Sequence, residues 1–329
     1  MSDALIIVNP MAGGTSDTVL SEVIDHCRRW VDQAVVRVTS GAEEAIRLAH
    51  DAARSVDPPA VVVAVGGDGT ARDVAQGLAD AAAEQGLAGG TDARLGGGLV
   101  PMFIVPAGTA NSCYRTLWGD LAWPRALAAA LADRGRSLRR LDLARLLELD
   151  RLVLAGACAG FPPQAIHEAG AMTGRSGVAR YEAALLRLIP RYRPYPGRVV
   201  VDGVEVHCGP TLLANVGGSR YRGGQFEVLP HSLLDDGLLD VCVVGGEHPP
   251  AEILTLTRTA THLTLPGVVY MRGRRITIER SDGEPVWFEH DGEVLAGAGS
   301  SFTLEVVPAA VPVLVGAAMP LAASAAVPG

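Results

Sequence analysis

The residues Ala60-Val-Val-Val-Ala-Val65 lead directly into Gly66-Gly67-Asp68-Gly69-Thr70, and a helical pattern follows from about Arg72 to Glu84. The apolar, mostly β-branched run predicts a strand covered on both faces, as in a parallel sheet. Three glycines let the backbone approach an anion closely, and a helix N-terminus supplies N–H donors. The segment therefore predicts a phosphate-binding turn in which Asp68 holds a metal or a hydroxyl. The alternative is a tight Gly-Asp-Gly turn without a ligand.

Two other predicted strands end in loops of the same kind. Residues 4–8 form a buried strand that stops at Asn9-Pro10 and leads into Gly13-Gly14. Residues 101–105 form another, which leads into Pro106-Ala-Gly108-Thr109-Ala-Asn111-Ser112. Because ligands of such sheets bind beyond the carboxyl ends of the strands, the three loops are expected to meet at one rim. Their convergence favours a nucleotide site.

The pattern of elements divides the chain into two parts. Strands alternate with helices up to about Ser137, which predicts a nucleotide-binding α/β domain with a parallel sheet over residues 1–137. Residues 138–307 are mostly strands, interrupted by helices near residues 177–189 and 252–263, and predict a β-rich, sandwich-like second domain. The strands expected there are residues 152–156, 198–201, 211–215, 239–244, 275–279, 285–289 and 302–307. The tail after about residue 308 is expected to return to the first domain as a strand.

Charge and composition exclude several classes of function. The net charge is −8 and the pI is about 5.5, so no overall field attracts nucleic acid or an anionic membrane. The sequence contains no lysine, which excludes a Walker-type phosphate loop and Schiff-base chemistry. The histidines are scattered and show no metal-ligand spacing.

Cysteine usage and the termini predict a cytoplasmic protein. The five cysteines are widely spaced and form no C-x-x-C pair, which indicates reduced thiols rather than a zinc site or a disulfide framework. The N-terminus lacks a basic segment ahead of its short apolar run, which is not the pattern of a signal peptide. Pro308, Pro312, Pro320 and Pro328 interrupt the apolar tail and argue against a membrane span.

Further motifs complete a known pattern. The second half contains Leu213-Ala-Asn215-x-Gly217, Gly223-Gly224, Asp236-Gly-Leu-Leu-Asp240 and His290-Asp-Gly-Glu293. Together with the three loops above, and in this order, they resemble the diacylglycerol kinase catalytic domain family from about residue 4 to residue 306. That family includes soluble bacterial lipid kinases, sphingosine kinases and ceramide kinases, and it is distantly similar to NAD kinases. The Gly-Gly-Asp-Gly-Thr motif alone is shared with NAD kinases, whereas the two late motifs are more specific to the lipid-kinase branch.

The resemblance implies an NAD kinase-like first domain, an acceptor-binding second domain and an ATP-dependent kinase that phosphorylates a lipid hydroxyl with Mg²⁺. It places Asp68 at the catalytic Mg²⁺ and assigns Glu293 as general base for the acceptor hydroxyl. It assigns a second, structural Mg²⁺ to Asp236 and the backbone carbonyls of Leu233 and Leu238. The residues expected beside the nucleotide are Asn9, Thr39, Gly66, Gly67, Asp68, Gly69, Thr70, Arg72, Gly108, Thr109 and Asn111. Without the resemblance, Glu293 would be a solvated strand-end carboxylate and Asp236 a turn-forming residue.

Two positions depart from the family pattern. Ser112 stands where many members carry aspartate, which removes one carboxylate from the expected metal network. Arg72 and Asp73 stand where many members carry Asn and Glu, and Arg72 is either a contact of the nucleotide phosphates or a surface residue. Two other functions therefore stay open: a kinase for a soluble small molecule or specialised metabolite, and a non-catalytic nucleotide-binding regulatory protein. An NAD kinase is a poorer fit, because the late Asp-Gly-Glu motif fits the lipid branch.

The expected partners are a lipid or lipid-like acceptor and no nucleic acid. Residues 187–198 mix arginine with Tyr192 and Tyr195, which allows peripheral membrane contact, although a solvated arginine-rich loop is the alternative. Phe161 and the residues after the strand at 152–156 are expected to line the acceptor pocket. Arg134–Arg140 are expected to form an exposed connection between the domains. The strand edges of a β-rich domain allow a homodimer.

Overall fold

The first half of the protein is a parallel sheet flanked by helices, as predicted. The computed structural model describes residues 3–87, 99–173, 177–317 and 319. Its first elements are strands β1 Ala4–Val8, β2 Ala34–Val38, β3 Val61–Gly66 and β4 Met102–Pro106, and helices α1 Asp17–Cys27, α2 Ala42–Ala53, α3 Asp68–Glu84, α4 Ser112–Trp118, α5 Trp123–Ala132 and α6 Arg134–Ser137. The strands pair in parallel in the order β2-β1-β3-β4, so the carboxyl ends of β1, β3 and β4 lie along one edge.

The helix after the glycine-rich turn begins one turn earlier than the sequence predicts. It starts at Asp68, not near Arg72, because Gly67 takes an extended conformation as the N-cap residue of α3. Asp68 then lies in the first helical turn, where a carboxylate interacts favourably with the helix dipole. All residues of β1 and β3 and most of α3 are buried. The Gly-Gly-Asp-Gly-Thr motif is therefore held between a rigid strand and a rigid helix.

The second half is mostly antiparallel, as predicted. Its strands are β5 Leu138–Leu146, β6 Arg151–Val153, β7 Ala157–Gly160, β8 Tyr195–Val201, β9 Val204–Gly217, β10 Tyr221–Arg222, β11 Phe226–Glu227, β12 Leu239–Gly245, β13 Val269–Gly273, β14 Arg275–Arg280, β15 Phe288–His290, β16 Glu293–Val294 and β17 Ser301–Leu314. Its helices are α7 Phe161–Gly170, α8 Gly177–Leu188 and α9 Pro250–Leu256, with a 3₁₀ turn at Thr261–Thr264. Strands β10 and β11 form a separate ribbon, and the other strands join those of the first half in one sheet.

Several predicted elements of this half are wrong. The strand expected at residues 152–156 is instead two short strands, β6 and β7, because the chain turns between them. Helix α7 and strand β13 have no counterpart in the sequence prediction, and the helix expected at 252–263 ends at Leu256. The segment Arg134–Arg140 is exposed to half-buried, and it has regular structure. It forms α6 and the start of β5, and the guanidinium of Arg140 donates to the carbonyl oxygens of Leu87 and Ala309.

Two long strands connect the halves of the sheet. Strands β5 and β17 pair along most of their length, and Val313 of β17 also pairs in parallel with Met102 of β4. The tail therefore contains a strand that returns to the first sheet, while most of the Ala- and Pro-rich end beyond it lies outside the described residues. A domain boundary near residue 137 stays a prediction, because both strands run along one continuous sheet.

Alternate residues of β9 face two different apolar layers. Ala214 and Val216 pack in one cluster of strand residues, whereas Leu213 packs with residues of helices α7, α8 and α9. Because side chains of a strand alternate with a period of two, Asn215 shares the face of Leu213. The layer beneath the three helices thus includes one polar position on its central strand.

Candidate active site

The three predicted loops meet at one rim, at the carboxyl ends of β1, β3 and β4. The backbone N–H of Gly14 donates to the carbonyl of Ala107 at 2.8 Å, which joins the first loop to the third. Gly67 and Gly108 lie in direct backbone contact, since a Cβ on Gly108 would lie 2.3 Å from the Cα of Gly67. Glycine is therefore required at this crossing. The loops converge as the strand ends predict.

Most polar side chains of the rim form hydrogen bonds with other residues of the loops and strand ends. The amide nitrogen of Asn9 donates to the hydroxyl of Thr70 at 3.0 Å. Asn111, with a left-handed φ of 54°, closes its own loop through two 2.9 Å bonds with the backbone of Gly108. The hydroxyl of Thr39 donates to the carbonyl oxygen at the end of β1 at 3.3 Å. These predicted nucleotide residues are thus brought together, and their side chains fix the shape of the rim.

Other predicted nucleotide contacts connect the rim to the second half. A Cβ on Gly66 would lie 2.4 Å from the hydroxyl oxygen of Thr70, so this glycine allows the turn to close. At Gly69 the nearest atom to such a Cβ is the carbonyl oxygen of Asp291, 4.0 Å away. Thr109 lines a cavity and packs against Gly177 at the start of α8. The glycine-rich turn therefore lies between the first sheet and the second half of the chain.

Asp68 connects α3 to α4. Its two carboxylate oxygens accept hydrogen bonds from the backbone N–H groups of Ser112 and Cys113, at 3.0 and 2.9 Å. Burial raises the pKa of Asp68, the two N–H donors oppose that rise, and the nearby charge of Asp291 adds to it. The carboxylate also lines the cavity. Asp68 is therefore held in a fixed position that a ligand can reach.

Arg72 is buried, so the prediction of a surface residue is wrong. Its exposed fraction is 5%. Its guanidinium donates to Asp73 at 2.7 and 3.0 Å, to Glu293 at 3.0 Å and to the Nδ1 of His290 at 3.3 Å. Arg72 therefore links α3 to the residue that the sequence predicts as general base. A contact between Arg72 and nucleotide phosphates stays a prediction.

Glu293 is a carboxylate that solvent can reach. Its side chain is 56% exposed. Burial alone would raise the pKa of Glu293, but the hydrogen bond from Arg72 and the charge of Arg72 lower it overall. Burial and the same positive charge lower the pKa of His290 to about 4, so the imidazole is neutral and accepts from Arg72. Glu293 is thus kept ionised at neutral pH.

Three charged residues of the site are missed by the sequence analysis. The carboxylate of Asp291 accepts the backbone N–H groups of Leu154 and Ala155, at 3.0 and 2.6 Å, in the turn between β6 and β7. Glu289 is buried and forms an ion pair with Arg222. Burial raises the pKa of both acids. Asp291 belongs to the motif His290-Asp-Gly-Glu293, and Arg222 directly precedes Gly223-Gly224. Their positions within or beside these motifs are the sequence signal that could have identified them.

A cavity of about 370 Å³ extends from these charges into the layer beneath α7, α8 and α9. Its charged end is formed by Asp68, Arg222, Glu289 and Asp291. Its other walls are mostly apolar and include Pro162, Ile166, Val178, Tyr181, Phe226, Ile253 and Leu254. A cavity of this kind fits an amphiphile whose polar group faces the charged end.

In the arginine- and tyrosine-rich segment at residues 187–198 the two tyrosines pack inward, and peripheral membrane contact through this segment stays a prediction. Tyr195 is buried, and Tyr192 packs edge-on against Phe161 with ring centroids 5.1 Å apart. Phe161 therefore packs in the core, and its neighbours Pro162 and Ile166 line the cavity instead. The arginines at 191 and 198 form ion pairs with acidic side chains.

Across the described ranges, no helix is both long and apolar enough to cross a bilayer.

Asp236 lies beside a cation of the protein, Arg272. One carboxylate oxygen of Asp236 forms an ion pair with Arg272, and the other accepts the backbone N–H of Leu238 at 3.0 Å. The Nε of Arg272 also lies 3.7 Å from Asp240. The guanidinium of Arg272 partly neutralises Asp236 in this arrangement, and the assignment of a structural Mg²⁺ to Leu233, Asp236 and Leu238 stays a prediction. The bond to Leu238 is that of a turn-forming aspartate.

Comparisons with known proteins agree with this fold. The family model described as "Diacylglycerol kinase catalytic domain" matches residues 3–146, and that described as "YegS C-terminal NAD kinase beta sandwich-like domain" matches residues 155–315. The diacylglycerol kinase of Mycobacterium tuberculosis (strain H37Rv) is 30% identical over 292 residues, which cover 81% of this chain and 87% of that protein. The chain belongs to the diacylglycerol kinase family.

Two further comparisons are consistent with membership of the diacylglycerol kinase family. A protein of Salmonella arizonae named "Probable lipid kinase YegS" is 28% identical over 315 residues, 94% of each chain. A crystal structure of a diacylglycerol kinase from Bacillus anthracis str. Sterne matches with a TM-score of 0.66 at 19% identity, over 97% of this chain and 98% of that one, which shows the fold. The predicted fold class is thereby confirmed. The protein is a phosphotransferase that acts on an alcohol group, and kinase chemistry implies a nucleotide donor.

Proposed function

We propose that the protein is an ATP-dependent lipid kinase that transfers the γ-phosphate to a hydroxyl of a lipid alcohol. The observation that carries this proposal is the cavity, which has Asp68 and the Asp-Gly-Glu hairpin at one end and apolar walls along the rest. A lipid hydroxyl placed at the charged end would leave its hydrocarbon part against Ile166, Phe226 and Ile253. Relatives named as diacylglycerol kinase and YegS lipid kinase support a lipid acceptor.

The nucleotide phosphates would lie at the rim formed by the three loops. The close contact of Gly67 with Gly108 leaves only backbone at this crossing, which lets an anion approach the first turn of α3. The helix dipole of α3 favours negative charge there. Phosphoryl transfer depends mainly on positioning and on neutralising charge, so a rigid rim of backbone donors suits the donor site.

The residues around Asp68 fit a Mg²⁺ that arrives with the nucleotide. Burial and the neighbouring charge of Asp291 both raise the pKa of Asp68, so a cation beside Asp68 would relieve an unfavourable accumulation of negative charge. Ser112 supplies no second carboxylate, and its hydroxyl accepts the N–H of Gly224 at 3.1 Å. Mg²⁺ commonly keeps several waters and uses few protein carboxylates when phosphates share it. When bound, the ion would neutralise charge on the transferred phosphoryl group.

Glu293 would take the proton of the acceptor hydroxyl. Arg72 keeps its carboxylate ionised, and Gly292 beside it lines the charged end of the cavity. A positioned carboxylate can accept the proton as the hydroxyl oxygen attacks phosphorus. Residues of both halves of the chain therefore act together, with the donor site in residues 1–137 and the acceptor site in residues 138–307.

The state of the cysteines bears on the location of the enzyme. We propose a cytoplasmic location, because all five cysteines are free thiols and four of them are buried. Peripheral membrane contact and a homodimer stay predictions.

The test is phosphate transfer from radiolabelled ATP with Mg²⁺ to diacylglycerol, to a sphingoid base and to a cell extract of polar metabolites, in parallel. Label in an organic-extractable lipid is the expected result, and the Glu293→Gln protein serves as the matched control for contaminating kinases. Label in the aqueous fraction alone would replace the lipid with a soluble acceptor. ATP binding without transfer to any acceptor would indicate a non-catalytic regulatory protein.

A further inference from the structure

We propose that Asn215 is a specificity-determining residue of the acceptor site, whose side-chain amide donates a hydrogen bond to an acyl carbonyl oxygen of the lipid. The proposal rests on the lipid kinase function above and narrows it to acylated alcohols such as acylglycerols, rather than sphingoid bases. It concerns the motif Leu213-Ala-Asn215-x-Gly217, to which the catalytic scheme assigns no role.

Asn215 is a buried amide that lines the cavity. It lies near the end of β9, between Cys158 of β7 and Cys242 of β12, and it is 1% exposed. Its side-chain nitrogen has no hydrogen-bond partner among the described residues. Its neighbours on the same face are the thiols and Leu213, which offer no strong acceptor to an amide.

Other polar side chains of the cavity are already bound to the protein. Asp68 and Asp291 accept backbone N–H groups, and Glu289 forms an ion pair with Arg222. The hydroxyl of Ser112 accepts a backbone N–H as well. Asn215 differs from these residues, because it lines the cavity and its side-chain nitrogen has no partner within the described chain.

A buried amide without a partner is unfavourable, and native proteins rarely keep one. An apolar side chain of the same size would suit this face better if the position had only a packing role. A bound ligand that carries an oxygen acceptor would remove the cost. A carbonyl suits better than a hydroxyl, because a hydroxyl would bring a further donor into a face of thiols and leucine.

The experiment compares the wild type with Asn215→Leu, which keeps the side-chain volume and removes the amide. Both proteins are assayed with 1,2-diacylglycerol and with the matching dialkyl ether of glycerol, which has the same shape and no carbonyl. For Asn215→Leu we expect kcat/KM for diacylglycerol to fall about tenfold, mainly through KM, with no comparable fall for the diether and no change in the KM for ATP. Thr257→Val, which removes a cavity hydroxyl bonded to the backbone of α9, should keep the wild-type ratio between the two lipids.

Thermal unfolding of the unliganded proteins gives a second measurement. Asn215→Leu should melt at the same temperature as the wild type or above it, because the amide nitrogen has no partner to lose among the described residues. A lower melting temperature would mean that the amide has a structural partner, and it would overturn the proposal. Equal losses on both lipids would overturn it too, while the lipid kinase function would stand. Failure of the wild type to label either lipid would instead overturn the proposed function and this inference with it.

Discussion

The rim around Asp68 and the loop around Asp236 start from the same local sequence, an aspartate followed by glycine, and reach different chemistry. Both carboxylates accept backbone N–H groups. Asp236 is also ion-paired with Arg272, whereas no ion pair to Asp68 forms within the described part of the chain and its carboxylate faces the cavity. The comparison teaches that the backbone sets where an aspartate points, while the cation next to it decides whether a ligand can use the charge.

The largest effect is expected from the matched pair Asp68→Asn and Asp236→Asn. Asp68→Asn should lower kcat about a thousandfold, because the charge that positions the metal and phosphates is lost. It should lower the free energy of unfolding by about 1–3 kcal/mol, since the amide oxygen still accepts one N–H of α4 while the amide nitrogen leaves the other without an acceptor. Asp236→Asn should keep most activity at low temperature but lower the free energy of unfolding by about 1–3 kcal/mol, because Arg272 loses its partner.

Kinetics and urea unfolding of both variants check the pair. If Asp236→Asn lost activity as strongly as Asp68→Asn while staying folded, the separation into a ligand site and a structural site would be wrong.

A second effect is expected at the base. Glu293→Gln should lower kcat about a hundredfold and leave the KM for ATP unchanged, because an amide cannot take the proton of the acceptor hydroxyl. Steady-state kinetics with the preferred lipid measures both constants. Activity within a fewfold of the wild type would remove Glu293 from the mechanism and direct attention to Asp291, which lines the same end of the cavity.

Arg72→Gln tests whether the guanidinium of Arg72 lowers the pKa of Glu293. The hydrogen bond and charge of Arg72 lower the pKa of Glu293, so their removal should raise it. The carboxylate then protonates at a higher pH, and the acid limb of the kcat/KM profile should move to higher pH. We expect kcat at neutral pH to fall about tenfold, since the carboxylate also loses its position.

The pH profile separates this role from a structural one, because general destabilisation would lower the rate without moving the limb. An unshifted limb in a folded Arg72→Gln protein would show that Arg72 does not act on the base.

The smallest effect concerns Mg²⁺ and the stability of the protein without nucleotide. Because Arg72 and Arg272 already neutralise buried or half-buried acids, Mg²⁺ should raise the melting temperature no more than a monovalent salt of equal ionic strength. Arg272→Gln should lower the melting temperature by about 2–4 °C. A saturable rise of several degrees with Mg²⁺ in the wild type, lost in Asp236→Asn, would instead establish the structural metal at Asp236.

Much of the fold follows from local pattern. The β-branched run at residues 60–65 and the glycines after it predict β3 and its turn. A strand buried on both faces needs apolar residues, and a helix start that binds an anion needs glycines before it, so both features can be read from one short segment. The sequence did not predict helix α7, since it begins with Phe161-Pro162-Pro163 directly after a strand. The turn between β6 and β7 depends on Asp291, whose carboxylate binds N–H groups 136 and 137 residues away.

The sequence by itself determined the parallel sheet, the rim of three loops, the family and the identity of Asp68 and Glu293 as candidates for chemistry. These features depend on short segments whose hydrogen bonding and burial are settled within a strand and the next helix. Only the tertiary structure decided that Arg72 bonds Glu293 across 221 residues, that Arg272 pairs with Asp236, and that Asn215 lines the cavity. Such partners are chosen by packing between distant elements, and the sequence shows a charge or an amide without showing what lies opposite it.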